Sequence, residues 1–258
     1  MGKMMLAQQR RTKILELLQE EGSARVSALS KLFEVSEPTI RQDLERLESD
    51  GYISREHGGA YLKTIPEQVR SLALHHTENM DKKIRIGKKA VGFIENGDFV
   101  ILDSGTTVTE IAKNLENKKD LKIITTSLNI ALLLGAHYEF EVMVTGGDFK
   151  APTLSLTGEK AANFFQQIYV NKLFLATGGL SLETGLTYPG FNDLKVKKAM
   201  IDSASEVYLV ADSTKIGKTS FAALGPVELV QYLITDAGID AKTKTQLESR
   251  GIKVIVTD

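Results

Sequence analysis

The 258-residue chain contains no cysteine, which removes disulfides, cysteine-ligated zinc, iron–sulfur clusters and thiol catalysis together and fits a reducing compartment. Histidine is scarce: His57, His75, His76 and His137 form no His-Glu-x-x-His or similar spacing, so neither a metal nor a cofactor is expected. An excess of one charge is missing as well. The balance of 32 basic against 33 acidic residues argues against a polybasic mode of binding in which overall charge supplies the affinity, but not against a local basic site. Long apolar runs are absent, because the longest, Ile130–Ala136, is far too short to span a bilayer. Met1–Leu6 leads into Gln9-Arg10-Arg11 without the apolar core of a signal peptide. A soluble, cytoplasmic protein with no membrane partner is the expectation. Neither Gly-x-Gly-x-x-Gly nor Gly-x-x-x-x-Gly-Lys-Ser/Thr occurs, so dinucleotide and nucleoside-triphosphate binding lack support.

What is present is a change of texture near residues 60–80. The head, residues 1–62, is dense in charge and helical in period. Ile14, Leu17 and Leu18 place one apolar stripe on a helix over residues 7–21, ended by Gly22. Val26, Leu29, Leu32 and Phe33 repeat the spacing in a shorter helix, interrupted by Glu34-Val35-Ser36. The Ser36 hydroxyl then caps a third helix, with Pro38 tolerated in its first turn, and Ile40, Leu44 and Leu47 form its stripe. Thr39, Arg41, Gln42, Glu45 and Arg46 are left outside. A helix–turn–helix over about 24–43 that projects Arg and Gln has the geometry that enters a DNA major groove, where Arg reads guanine and Gln adenine. The bland alternative is a solvated helical face.

After Gly51, Tyr52–Arg55 and Ala60–Leu62 read as two short strands around His57-Gly58-Gly59, a hairpin wing that sets Arg55 and His57 toward the phosphate backbone. The run from Val35 to Leu44, followed by Leu47, Gly51 and Arg55–Ala60, resembles the winged helix-turn-helix of the DeoR family of bacterial transcriptional regulators. In that family two arginines usually follow the position of Ile40, whereas here Arg41 precedes Gln42. Ser36, Pro38, Thr39, Arg41, Gln42, Arg46, Arg55 and His57 are the expected DNA-binding set. Nine basic and ten acidic residues in the head mean that any attraction to phosphate depends on how Arg41, Arg46, Arg55, Lys31, Lys3, Arg10 and Arg11 are arranged.

Residues 63–80, with Pro66, read as a linker. From 81 to 258 strands alternate with helices, which implies a Rossmann-like, mainly parallel α/β body covered on both faces. Five strands run into polar loops: Asp103–Thr107, Thr126–Asn129, Gly146-Gly147, Thr177–Gly179 and Asp212–Lys215. In a parallel sheet these ends share one edge, where open α/β sheets bind ligands. Ser104, Gly105, Thr106 and Thr107 suit a phosphate, and Lys215 adds positive charge. Asp103 and Asp212 suit sugar hydroxyls. Thr126, Ser127, Asn129, Gly146, Gly147, Thr177, Gly178 and Gly179 complete the expected pocket.

These loops, together with Gly185-Leu186-Thr187 and Val196–Met200, resemble successive blocks of the DeoR-family effector domain, whose fold is similar to that of sugar-phosphate isomerases. The resemblance implies a repressor of a carbohydrate-metabolism operon, with operator DNA and a phosphorylated sugar effector as partners. It also implies a homo-oligomer, dimer or tetramer, and a ligand role for Lys197. Many relatives carry Asp where this chain has Gly178, which points to a different effector. An isomerase would need a base among Asp103, Glu183, Lys197 and Asp212. The loop after Thr177 supplies no acid before Glu183, so no residue is assigned a catalytic role.

Overall fold

The computed structural model describes residues 6–21, 23–56, 58–62, 78–150 and 153–257. Two units divide the chain, Met1–His75 with Lys150–Pro152 and His76–Phe149 with Thr153–Asp258. Of the expected linker, residues 63–77 lie outside the described residues, as do Gly22 and His57. Its last residue, Met80, opens a helix.

The first unit runs α1 (Ala7–Glu21), β1 (Ser23–Arg25), α2 (Val26–Phe33), α3 (Glu37–Ser49), β2 (Ile53–Glu56) and β3 (Gly59–Leu62). The apolar stripes meet as their spacing requires: Ile14, Leu17 and Leu18 of α1, Val26 and Leu29 of α2, and Ile40, Leu44 and Leu47 of α3 are all buried. Between α2 and α3, Glu34 adopts the left-handed conformation (φ 51°, ψ 40°). The Ser30 hydroxyl secures that turn by donating to the Val35 carbonyl at 2.7 Å. Ser36 caps α3 by accepting from the Thr39 N–H, with Pro38 in the first turn. The wing has a strand more than the sequence suggested. Ser23–Arg25 pairs with β3 in antiparallel register, and three residues are too few to show a periodicity.

Arg10 corrects another expectation. It is not a free cation for DNA but lies buried against Asp43 at 2.5 Å, with side-chain exposures of 8% and 4%. Both residues stand in apolar register, Arg10 one turn before Ile14 and Asp43 between Ile40 and Leu47. The pair fixes α1 to α3.

The second unit holds α4 (Met80–Val91), β4 (Phe99–Leu102), α5 (Thr106–Ala112), β5 (Leu121–Thr125), α6 (Leu128–Leu134) and β6 (Phe140–Val144). It continues through β7 (Asp148–Lys150), β8 (Ser155–Thr157), α7 (Gly158–Asn163), β9 (Val170–Leu175), β10 (Gly179–Ser181), β11 (Gly185–Tyr188) and α8 (Leu194–Ser203). The remaining elements are β12 (Ala204–Val210), β13 (Ala222–Gly225), β14 (Tyr232–Asp236), α9 (Ala241–Ser249) and β15 (Lys253–Thr257). Seven strands form one sheet in the order β15-β14-β12-β9-β4-β5-β6, and every pairing in it is parallel. Strand periodicity divides the core in two. Val100 and Leu102 pack with Ile86, Val108, Ile111 and Ile130 of α4–α6, while Ile101 points the other way, into the cluster of Ala161, Val196, Met200 and Leu247.

From β4 the chain moves outward through β5 and β6, then returns to lay β9 on the opposite side of β4 and proceeds to β12, β14 and β15. The β4–β9 junction is thus a topological switch point, where adjacent loops diverge and leave a crevice. Off this edge, β10, β11 and β13 make a small antiparallel sheet that the alternation of apolar and polar residues did not reveal. Gly87 lets α4 and α5 cross closely, since a Cβ there would stand 2.7 Å from Glu110. No helix among the described residues is long and apolar enough to cross a membrane.

Asp43→Ala, which strands the Arg10 charge, should cost about 3–5 kcal/mol. Hydrogen exchange of the α1 and α3 amides measures this, and Arg10→Met added to Asp43→Leu should recover most of the protection.

Candidate functional site

On the first unit, the buried stripe of α3 leaves one face open. Ser36, Pro38, Arg41, Gln42 and Arg46 are exposed and Thr39 is half-buried, sharing a 2.8 Å hydroxyl bond with Ser36. Arg41 reaches Glu37 at 3.3 Å and Arg46 reaches Asp50 at 3.4 Å, both on the surface. Such pairs contribute about 0–1 kcal/mol, so both guanidiniums are readily released to a stronger partner. Arg11 of α1, named with the cations that could attract phosphate, shares a shallow groove of about 480 Å³ with Gln42, Arg46 and Ser49.

Arg55, expected to face the phosphate backbone, is paired within the protein. Its Nε donates to Glu48 at 2.7 Å, its backbone N–H donates to the other Glu48 oxygen at 3.0 Å, and its terminal nitrogens reach Glu45. The bond to Glu48 holds its pKa above the usual arginine value, against the opposing pull of desolvation. The side chain fastens the wing to α3 instead of projecting freely.

On the second unit, the switch point is organised by Asp103, which is fully buried at the end of β4. One carboxylate oxygen accepts from the Ser104 N–H and from the Lys197 ammonium, the other from the Ala176 N–H at 3.0 Å across the β4–β9 junction. Burial pushes the Asp103 carboxyl above the usual carboxylate range, while Lys197 and the two N–H groups pull the other way. Lys197 is itself buried, sits 5.5 Å from the centre of the Tyr188 ring and lies 3.5 Å from the Ser104 hydroxyl. Tyr188 donates to the Ala176 carbonyl at 2.7 Å. Burial, with Asp103 and Asp193 adding, raises its hydroxyl well above the ordinary tyrosine value.

The other expected residues separate into those built into the edge and those open on it. Ser127 caps α6, and Thr126 accepts from Leu156, so both are buried beneath β8. Thr177 donates toward Gly179 and Thr187 and accepts from the Gly179 N–H, which zips this loop onto β11. A Cβ at Gly178 would meet Ser220 and Pro189, and one at Gly147 would stand 2.5 Å from the Thr157 carbonyl. These two glycines serve close packing. Asp212 is buried and caps its own turn through Thr214, and Thr107 is buried. Ser104, Gly105, Thr106, Asn129 and Lys215 remain half-buried and Gly146 exposed. Gly105, at the N-cap of α5, has no side chain with which to cap it, and the first-turn N–H groups of a helix have no partner within the helix itself. Thr106 and Asn129 line one recess of about 90 Å³ with Met80, Thr109, Glu110 and Lys113.

The first turn of α4 was missed as part of this edge. Lys82 donates to the Ser213 hydroxyl at 2.9 Å and pairs with Asp236 at 3.2 Å. Burial opposes ionisation of Asp236, but the N–H groups of Ser213 and Gly238, the Ser213 hydroxyl and Lys82 together hold its carboxyl below the usual value. Lys83 is 7% exposed in register with Ile86, Gly87 and Ala90. A lysine in that apolar register was the available signal. Among the described residues, no group of three or more His, Asp or Glu side chains is placed to hold a metal ion.

Residues 10–65 match the family model described as the DeoR-like helix-turn-helix domain, and residues 78–237 that of the DeoR C terminal sensor domain. The chain is 34% identical to the HTH-type transcriptional regulator GlpR of Haloferax volcanii, over 97% of this chain and 98% of that protein. It is 32% identical to the HTH-type transcriptional repressor GlcR of Bacillus subtilis, over 98% of each. Among solved structures, ribose 5-phosphate isomerase A of Methanocaldococcus jannaschii matches with a TM-score of 0.39 and 19% identity, over 54% of this chain and 55% of that one.

Lys197→Met should cost about 3–5 kcal/mol at pH 8, because it leaves Asp103 charged, buried and unpaired. Without Lys197 the folded carboxyl titrates well above its unfolded value, so the penalty is present at high pH and relieved as pH falls. Urea denaturation at pH 8 and pH 5 should show the smaller loss at pH 5, and Asp103→Asn in the same chain should recover only part of the stability at pH 8, because its amide accepts from just one of the Ser104 and Ala176 N–H groups.

Proposed function

Because the chain belongs to the DeoR family of transcriptional regulators, we propose that it is a repressor of a carbohydrate-metabolism operon whose affinity for operator DNA is set by a phosphorylated sugar. The observation that carries the DNA half is α3, whose buried side is fixed by Arg10 and Asp43 while Arg41, Gln42 and Arg46 stand in solvent. Base-edge readout needs such a rigid helix with free Arg and Gln at its start.

The sensor half rests on the switch-point crevice. The loop Ser104–Thr107 offers hydroxyls, and the first turn of the helix it opens presents N–H groups suited to an anion, while Asn129 and Thr106 line one recess where they could meet neighbouring hydroxyls. In this reading the crevice is a receptor, not a catalyst. Asp103 and Lys197 neutralise one another, Asp212 is held by Thr214, and Glu183 is exposed with its carboxylate bound by Ser181. None of these is poised as a free base over a substrate carbon. The chain works as a homo-oligomer, dimer or tetramer, that pairs DNA-binding units on repeated half-sites, since one short helix binds too weakly alone. Coupling of about 1–3 kcal/mol between the sites would change operator occupancy roughly 5–150-fold.

Footprinting on the DNA flanking its own gene, repeated with a panel of sugar phosphates, tests both halves. Arg41→Ala should weaken operator binding by about 1–3 kcal/mol and leave the thermal shift by the effector unchanged, whereas Thr106→Ala should do the reverse. Loss of both activities in either folded variant would contradict the division into two sites.

A further inference from the structure

The longest apolar run of the sequence, Ile130–Ala136, is too short for a bilayer, and the fold buries only part of it. In α6, Ile130 and Leu134 are buried against the sheet, and Asn129 turns toward α5, with whose Thr106 and Thr109 it lines a recess. The flank away from α5 carries Leu128, Ala131, Leu132 and Gly135, spaced i, i+3, i+4 and i+7. This is a second apolar stripe. Leu128 and Ala131 on it are half-buried, while Gly135 is exposed and Leu132 is 80% exposed. A helix that is apolar on a second side needs a second neighbour to cover it.

The same margin of the sheet ends in β6, which pairs with β5 and with no other strand among the described residues. Phe140 and Val142 of β6 pack into the cluster that holds Ile130 and Leu134, so this strand and α6 share one face. The Thr145 N–H donates to the Thr125 carbonyl of β5. Alternate residues of a strand direct their N–H and C=O groups to opposite sides, so those of Val142 and Val144 point outward from the sheet. Proteins blunt such an edge with lysine, proline or a bulge. Strand β6 has none of these: its register with β5 is unbroken, and its one charge, Glu141, pairs with Lys122 of β5 at 3.5 Å.

We propose that β6 is the seam between two copies of this chain, paired antiparallel about a two-fold axis through Val142, with the second stripe of α6 closing over the seam. In that register the strand is complementary to itself. Val142 meets Val142 of the second copy and Phe140 meets Val144, while Glu141 stands opposite Met143 and not opposite a second carboxylate. The outward groups of Val142 exchange both hydrogen bonds with their counterparts, and the Val144 N–H reaches the Phe140 carbonyl of the second copy. Phe140, Val142 and Val144 share the face that carries α6, so one contact covers the strand edge and the stripe of Leu128, Ala131 and Leu132 together. Two seven-stranded sheets become continuous. The seam rests on the reading that the chain works as a homo-oligomer, and it names the surface that joins the copies.

The absence of cysteine makes the seam directly testable in the full chain. Under mild oxidation Val142→Cys should crosslink between copies, because the Cα atoms of a hydrogen-bonded antiparallel pair stand about 5.5 Å apart, within reach of a disulfide. Phe140→Cys and Val144→Cys should each crosslink poorly alone and efficiently when the two proteins are mixed. Lys253→Cys, on the opposite edge strand β15, should remain uncrosslinked. Independently, Leu132→Glu combined with Val144→Lys, both at exposed positions, should keep the wild-type circular dichroism and raise the dissociation constant in sedimentation equilibrium at least about tenfold. Wild-type assembly of this double variant, together with no crosslink through Val142→Cys, overturns the seam and leaves the homo-oligomer reading in place. A wild-type chain that sediments as a monomer at concentrations where it holds operator DNA removes both.

Discussion

The bridge that Asp103 makes between the two strands at the switch point is the constraint on which the sensor unit depends. Its carboxylate reaches the Ser104 N–H on its own strand end, the Ala176 N–H on the next, and the ammonium of Lys197 arriving from α8. Two loops that the topology sends in opposite directions are thereby held at a defined separation. The groups on both sides of the crevice keep their positions because this buried charge is satisfied from three directions. Asp103, expected to accept from sugar hydroxyls, has both of its carboxylate oxygens engaged within the protein and builds the crevice itself.

Much of the architecture was legible because strands and helices of a parallel α/β unit repeat their burial. Phe99–Leu102 and the five strand-end loops could be placed from periodicity alone, and the helix spans around Ile40 and Leu44 followed from a cap and a stripe. Short antiparallel pieces could not. Ser23–Arg25, Gly179–Ser181 and Ala222–Gly225 are three or four residues long, and their strand character comes from partners far along the chain. The site was legible as a set of loops but not as a set of roles. Thr126, Ser127, Thr177 and Gly178 look like ligand residues in sequence, whereas hydrogen bonding and packing with distant segments engage them in the edge itself.

A more useful signal ran through the sequence unnoticed. Arg10, Asp43, Lys83 and Lys197 each occupy a position that helical spacing reserves for an apolar side chain. Reading them as surface charges follows from composition, and reading them as buried follows from register. Register was right in all four cases, and the two buried pairs, Arg10 with Asp43 and Lys197 with Asp103, mark the places where this fold is held together.

The attachment of the wing carries a different consequence. With Arg55 clamped onto Glu48 and Glu45, the hairpin and α3 present a stiff, preformed surface, so the protein has little freedom to adjust to an imperfect site. In the proposed operator complex the adjustment would then pass to the nucleic acid, which would twist or bend to fit. Sequence steps beyond the proposed contacts of Arg41 and Gln42 would contribute to recognition through the mechanical compliance of the duplex.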